Sequence, residues 1–120
     1  MNAFSNYTIE LVGTDEEIKK ATAVLARAFD DESMCGKNRI EIEETYQFVW
    51  VEDVAKLAEL MVKNAPTISG FTISGTVDTS ESSGEYMDFI IKYENGSLSV
   101  QSSCWYLILD ADEFDDYDEF

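Results

Sequence analysis

Carboxylates are the only abundant reactive groups in this sequence. It carries 25 Asp and Glu against 8 Lys and Arg, two cysteines and no histidine, for a formal net charge of -17. Without histidine there can be no Ser-His-Asp or Cys-His nucleophilic site and no imidazole ligand for a metal. Paired carboxylates are the raw material of glycosidase-type acid/base chemistry. With 25 acids in 120 residues, however, some pair falls close in any fold, so pairing by itself carries no signal. Asp110 and Asp112 stand at positions 1 and 3 of a calcium-loop pattern. Phe114 at position 5, and Asp115 where the sixth-position glycine is required, exclude an EF-hand. The stretches around Gly13 and Gly36 lack the spacing of phosphate-cradling loops. Cys35 and Cys104 are single, distant and outside any C-x-x-C pattern. They read as free thiols of a reducing compartment, Cys104 within the core. The chain is therefore expected to be no enzyme and to use no cofactor and no metal.

What acids in this number can do is bind cations. The last eleven residues, D-A-D-E-F-D-D-Y-D-E-F, hold seven acids and no base, and an aromatic stands at every third position from Phe114. The first 109 residues carry 18 acids and 8 bases, so the body is itself near -10 without the tail. Such a field opposes compaction and favours a basic partner, above all a protein surface built to hold nucleic acid. Direct binding to DNA, RNA or an anionic membrane is disfavoured for the same reason.

Three groups are the candidate partner-binding residues. The tail contributes Asp110, Asp112, Glu113, Phe114, Asp115, Asp116, Tyr117, Asp118, Glu119 and Phe120. Its carboxylates would meet Lys and Arg while its aromatics bury against apolar stems or stack on guanidinium groups. Asp30, Asp31 and Glu32 follow a helix, where acids face the negative end of the dipole. Glu41 and Glu43 point outward from a strand and sit ~6.6 Å apart by strand geometry. That is the scale of successive phosphates, which advance ~3.4 Å along the axis while also winding around it.

These groups need a scaffold, and at 45% apolar residues the chain can bury a core. Residues 7–12 alternate and predict a strand. Thr14-Asp15-Glu16-Glu17 is a capping box opening a helix over 15–29, with Ile18, Ala21, Leu25, Ala28 and Phe29 on its buried face. Residues 33–38 read as a loop. Residues 39–50 alternate as one long strand, with Ile40, Ile42, Tyr46, Phe48 and Trp50 facing inward. Glu44 breaks that pattern and marks a bulge or a strand end. A second helix is expected over Val51–Asn64, ended by Pro66. Strands follow over 67–77, weakened or bent by Gly70 and Gly75, and over 86–93, with a polar turn at 79–84 between them. Asn95-Gly96 signals a two-residue hairpin, setting Glu94 opposite Ser97 and Phe89 opposite Ser102. The last strand is expected over 98–109, through the apolar run Trp105-Tyr106-Leu107-Ile108-Leu109.

The expected fold class is α+β: a two-layer sandwich of a mostly antiparallel sheet of about five strands with two helices on one face, in the order β-α-β-α-β-β-β. The expected organisation is a single domain over 1–109 and an acidic-aromatic tail over 110–120. The first residues lack the basic and apolar regions of a signal peptide, and no apolar run approaches the ~20 residues of a membrane span, so the expected location is cytoplasmic. In size and acidity the chain resembles the phage-borne, nucleic-acid-mimicking inhibitors of CRISPR and restriction systems; no motif is shared with them. The expected function is inhibition of a basic, nucleic-acid-binding effector or nuclease. Two other classes fit the same sequence: an immunity protein neutralising a basic nuclease toxin, and an adaptor or oligomeric domain that pairs through its final strand.

Overall fold

Period-two alternation of apolar residues builds a sheet with one covered face. The computed structural model describes residues 3–79 and 85–102. Five strands and two α-helices follow one another as β1 (Ala3–Val12), α1 (Asp15–Ala28), β2 (Arg39–Thr45), α2 (Val51–Asn64), β3 (Gly70–Thr79), β4 (Glu85–Glu94) and β5 (Ser97–Ser102). All strand pairs are antiparallel, in the order β2-β1-β3-β4-β5. This is the α+β fold that the alternating patterns predict.

The covered face is organised in rows that cross the strands. Ile40, Ile9, Ile73, Ile91 and Val100 stand in register from one edge to the other. β-branched side chains suit this pleated, half-buried surface. Leu11, Phe71, Tyr93 and Leu98 form the next row, with the Phe71 and Tyr93 rings stacked at 5.5 Å. Tyr7, Gly75 and Phe89 form the third, where two rings meet over a glycine at 5.9 Å. Ile18, Ala21 and Leu25 of α1, with Val54, Leu57, Ala58 and Met61 of α2, close the core over these rows.

Local signals set the boundaries of α1. The Thr14 hydroxyl accepts from the Glu17 amide at 3.2 Å, and the Glu17 carboxylate accepts from the Thr14 amide at 2.9 Å. The bond from the Thr14 amide foremost, and then one from the Thr67 side chain, hold the Glu17 carboxyl below its usual range. Thr14→Ala is expected to destabilise the protein by about 1 kcal/mol. The check is a urea titration, in which the midpoint falls at unchanged slope; an unmoved midpoint would mean the box contributes nothing. At the other end Asp30 adopts φ 52, and the Asp31 amide donates back to the Ala26 carbonyl at 2.9 Å. This is a Schellman stop with aspartate where glycine is usual.

Several expectations need correction. β1 begins at Ala3 rather than residue 7, and β3 spans Gly70–Thr79 rather than 67–77. α1 ends one residue early, with Phe29 as its C-cap. The larger error concerns the expected strand 39–50, which stops at Thr45. Tyr7 pairs with Ile42 and Ser5 with Thr45, so β2 holds one extra residue there, and Glu44 takes φ 48. The Asn6 side chain accepts from the Glu44 amide at 2.9 Å and fixes the bulge. Beyond it the chain leaves the sheet plane. The Ser5 hydroxyl donates to the Val49 carbonyl and the Tyr7 hydroxyl to that of Phe48. Burial, aided by Asp53, pushes the Tyr7 hydroxyl well above its usual range and keeps it a neutral donor.

The Asn95-Gly96 hairpin is as expected. Both residues have positive φ, 55 and 77, as a type I′ turn requires. Glu94 faces Ser97, Tyr93 faces Leu98, Ile91 faces Val100 and Phe89 faces Ser102. Cys104, the apolar run 105–109 and the tail 110–120 lie outside the described residues.

Candidate functional site

Neither α1 nor α2 covers the second face of the sheet. Its residues also run in rows: Arg39, Glu10, Thr72, Lys92 and Ser99; then Glu41, Thr8, Ser74, Ile90 and Gln101; then Asn6, Thr76 and Asp88. Small hydroxyl side chains fill the centre, and acids stand toward the sides and ends: Glu10, Glu41, Glu43, Asp78, Asp88 and Glu94. The two bases on this face are both engaged. Arg39 contacts Glu10 at 2.8 Å and Glu41 at 3.6 Å, and Lys92 contacts Glu94 at 3.5 Å. Lys19, Lys20, Arg27, Lys56 and Lys63 all lie on the helices instead. The helices carry acids as well, Asp15, Glu16, Glu17, Glu52, Asp53 and Glu59, so both layers are charged; among the described residues the open face is the more acidic.

Glu41 and Glu43 are outward and exposed on an edge strand, as their alternation predicts. They are not equivalent, because Arg39 partly offsets Glu41. Such an exposed pair contributes at most about 1 kcal/mol and leaves Glu41 free to exchange partners. Glu44, which the alternation placed inward, is exposed beside them.

Asp30, Asp31 and Glu32 are exposed as expected, but two of them have local work. Asp30 stops α1. Asp31 caps the short 3-10 turn Glu32–Met34, its carboxylate accepting from the Ser33 amide at 3.0 Å and the Ser33 hydroxyl at 2.6 Å. These bonds, the hydroxyl foremost, hold the Asp31 carboxyl below its usual range. Glu32 is left with no such role.

Tertiary structure joins the two acidic groups. The rings of Phe29 and Phe48 meet edge-on at 5.3 Å, tying the end of α1 to the segment after the bulge. A cleft of about 280 Å³ lies along the same flank, lined by Asp31, Ser33, Lys37, Arg39 and Glu41 among others. Asp30–Glu32 and Glu41–Glu44 therefore border one side of the molecule, the β2 edge. The tail residues from Asp110 to Phe120 lie outside the described residues.

Sequence reasoning missed Tyr46. Assigned to the core by alternation, it is 70% exposed and lies on the open face beside Phe4, ring centres 6.1 Å apart. The break at Glu44 was the available signal, because one inserted residue reverses the face of the residues that directly follow it; Phe48 and Trp50, beyond the end of the strand, pack against the core as their alternation predicts.

Among the described residues no three Cys, Asp or Glu side chains are grouped to hold a metal ion, and no helix is long and apolar enough to cross a membrane. Fold and site together define a small α+β protein with an open acidic sheet face. No protein-family model, curated protein or solved structure matches the chain.

Proposed function

We propose that this protein is a non-catalytic inhibitor that acts in the cytoplasm by occupying the basic, nucleic-acid-binding surface of another protein. Its β2 edge presents carboxylates where that surface normally receives phosphates. Complementary charge of this kind gives fast, selective association. Asp110–Phe120 extends the same acidic character and belongs to the proposed contact.

The observation that carries this reading is Glu44. It stands at φ 48, in the left-handed region where a side chain costs roughly 1–2 kcal/mol and glycine costs nothing. The Asn6 side chain holds the Glu44 amide in that conformation, but among the described residues the exposed Glu44 carboxylate enters no ion pair that would call for an acid there. A carboxylate at this bulge, directly after Glu41 and Glu43, makes sense as a binding group.

The variant Glu41→Gln/Glu43→Gln/Glu44→Gly tests both halves of the argument. Relief of strain at residue 44 is expected to stabilise the fold by about 1 kcal/mol. Binding to the partner captured by the wild-type protein is expected to weaken at least about tenfold at physiological salt, and the salt dependence to flatten. The captured partner should also release its guide RNA or target DNA when the wild-type protein binds. Undiminished binding by the triple variant, or binding that leaves the nucleic acid in place, would overturn the proposal.

A further inference from the structure

The geometry points to Tyr46, backed by Phe4, as a seat for an arginine side chain of the basic partner; this rests on the function proposed above. Tyr46 is the most exposed large hydrophobic residue among those described, at 70%, ahead of Val12 at 66%. A single exposed hydrophobic residue is ordinary; what sets Tyr46 apart is that a second ring, that of Phe4, lies against it, forming an aromatic surface with a polar handle. Its position is held from both sides. The Gln47 amide donates to the Thr45 hydroxyl at 3.1 Å, closing a turn just after the bulge. The Phe4 ring lies against it at an interplanar angle of 56°, which supports the ring at one side and leaves most of it to solvent.

One acid stands beside this aromatic pair and another lies close to it in the chain. Phe4 is directly opposite Asp78 in the β1–β3 ladder, and Glu44 is two residues before Tyr46 in the chain. A cation on the aromatic pair would have the Asp78 carboxylate across the ladder from Phe4 to pair with. Arginine fits this arrangement better than lysine. Its planar guanidinium stacks on an aromatic ring while its edge donates to carboxylates, whereas an ammonium is a compact, strongly hydrated charge. Tyrosine and arginine are also the residues most often found at the energetic centre of protein interfaces. The seat gives the acidic face chemical selectivity that charge alone cannot supply.

Two peptides of equal charge, (Gly-Arg)6 and (Gly-Lys)6, serve as probes, titrated against the full chain by calorimetry at physiological salt. The wild-type protein is expected to bind the arginine peptide about fivefold more tightly than the lysine peptide. Tyr46→Leu should remove that preference while leaving the lysine affinity unchanged, and Tyr46→Phe should retain it. Because Tyr46 is exposed, both variants are expected to melt with the wild type. Equal affinity of the wild-type protein for the two peptides, or a preference that survives Tyr46→Leu, overturns the seat. The triple variant of the β2 edge separates this from the broader reading. If it loses both peptides while Tyr46→Leu keeps the preference, only the seat is wrong. If it loses neither, the acidic edge is not the binding surface.

Discussion

Gly75→Val is expected to destabilise the protein by about 3 kcal/mol or more, enough to remove much of the stability of a domain this size. Gly75 lies in β3 between Tyr7 of β1 and Phe89 of β4. A Cβ added there would stand 2.2 Å from the Asn6 carbonyl oxygen and 2.4 Å from the Tyr7 Cβ. The first obstacle is backbone, so no change of rotamer removes it. β1 would have to move away from β3, and those two strands share the longest ladder in the sheet with β3 and β4. Glycine in a strand interior is ordinarily a weakness. Here it lets two aromatic rings meet over the space where a side chain would stand, which offsets the loss. Denaturant unfolding is the measurement. A valine variant with the wild-type midpoint would show that the close β1–β3 approach is wrong.

Phe89→Ala is expected to destabilise by about 3–5 kcal/mol through lost burial and the cavity left behind. Phe89 is 2% exposed, and its ring meets that of Tyr7 at 5.9 Å. It stands in β4, and among the described strands β5 lies between it and the sheet edge. Its neighbour in sequence supplies an internal control. Ile90 is 44% exposed on the open face, and Ile90→Thr should change stability by no more than about 0.5 kcal/mol. Adjacent residues of similar hydrophobicity would then differ by several kcal/mol purely through the face they occupy. Equal effects at the two positions would contradict the assignment of faces.

Both substitutions act on the sheet that carries the acidic edge, so lost binding in either would report unfolding. The edge residues themselves are exposed and separable from the core. That separation allows the triple variant at 41, 43 and 44 to test function without threatening the fold. It also explains how a body near -10 stays folded. Among the described residues its buried polar side chains are the uncharged Ser5, Thr22 and Ser102, and the exposed charges have their mutual repulsion screened by water and salt.

Much of the scaffold is written in local pattern. The capping box at Thr14, the apolar stripe of Val51–Asn64, the Asn95-Gly96 turn and the Phe89–Tyr93 alternation each depend on residues a few positions apart. Each appears in the structure where the chain signals it. Outward placement of Glu41 and Glu43 follows from the same alternation. Composition by itself also establishes the absence of any histidine-based chemistry and the acidity of the body without its tail.

Three features were settled only by contacts between distant segments. Strand order placed β2 at an edge, and the Phe29–Phe48 contact brought Asp30–Glu32 and Glu41–Glu44 to one side. Gly75 reads as a weak point in isolation and becomes a requirement once Tyr7 and Phe89 flank it. Tyr46 reads as core, yet it is exposed, because Ser5 pairs with Thr45 while Tyr7 pairs with Ile42. Alternation along one strand gives two opposite assignments of face, and a bulge exchanges them. The choice between them is made by which residue of β1 stands across the ladder, a pairing that residues 39–50 do not contain.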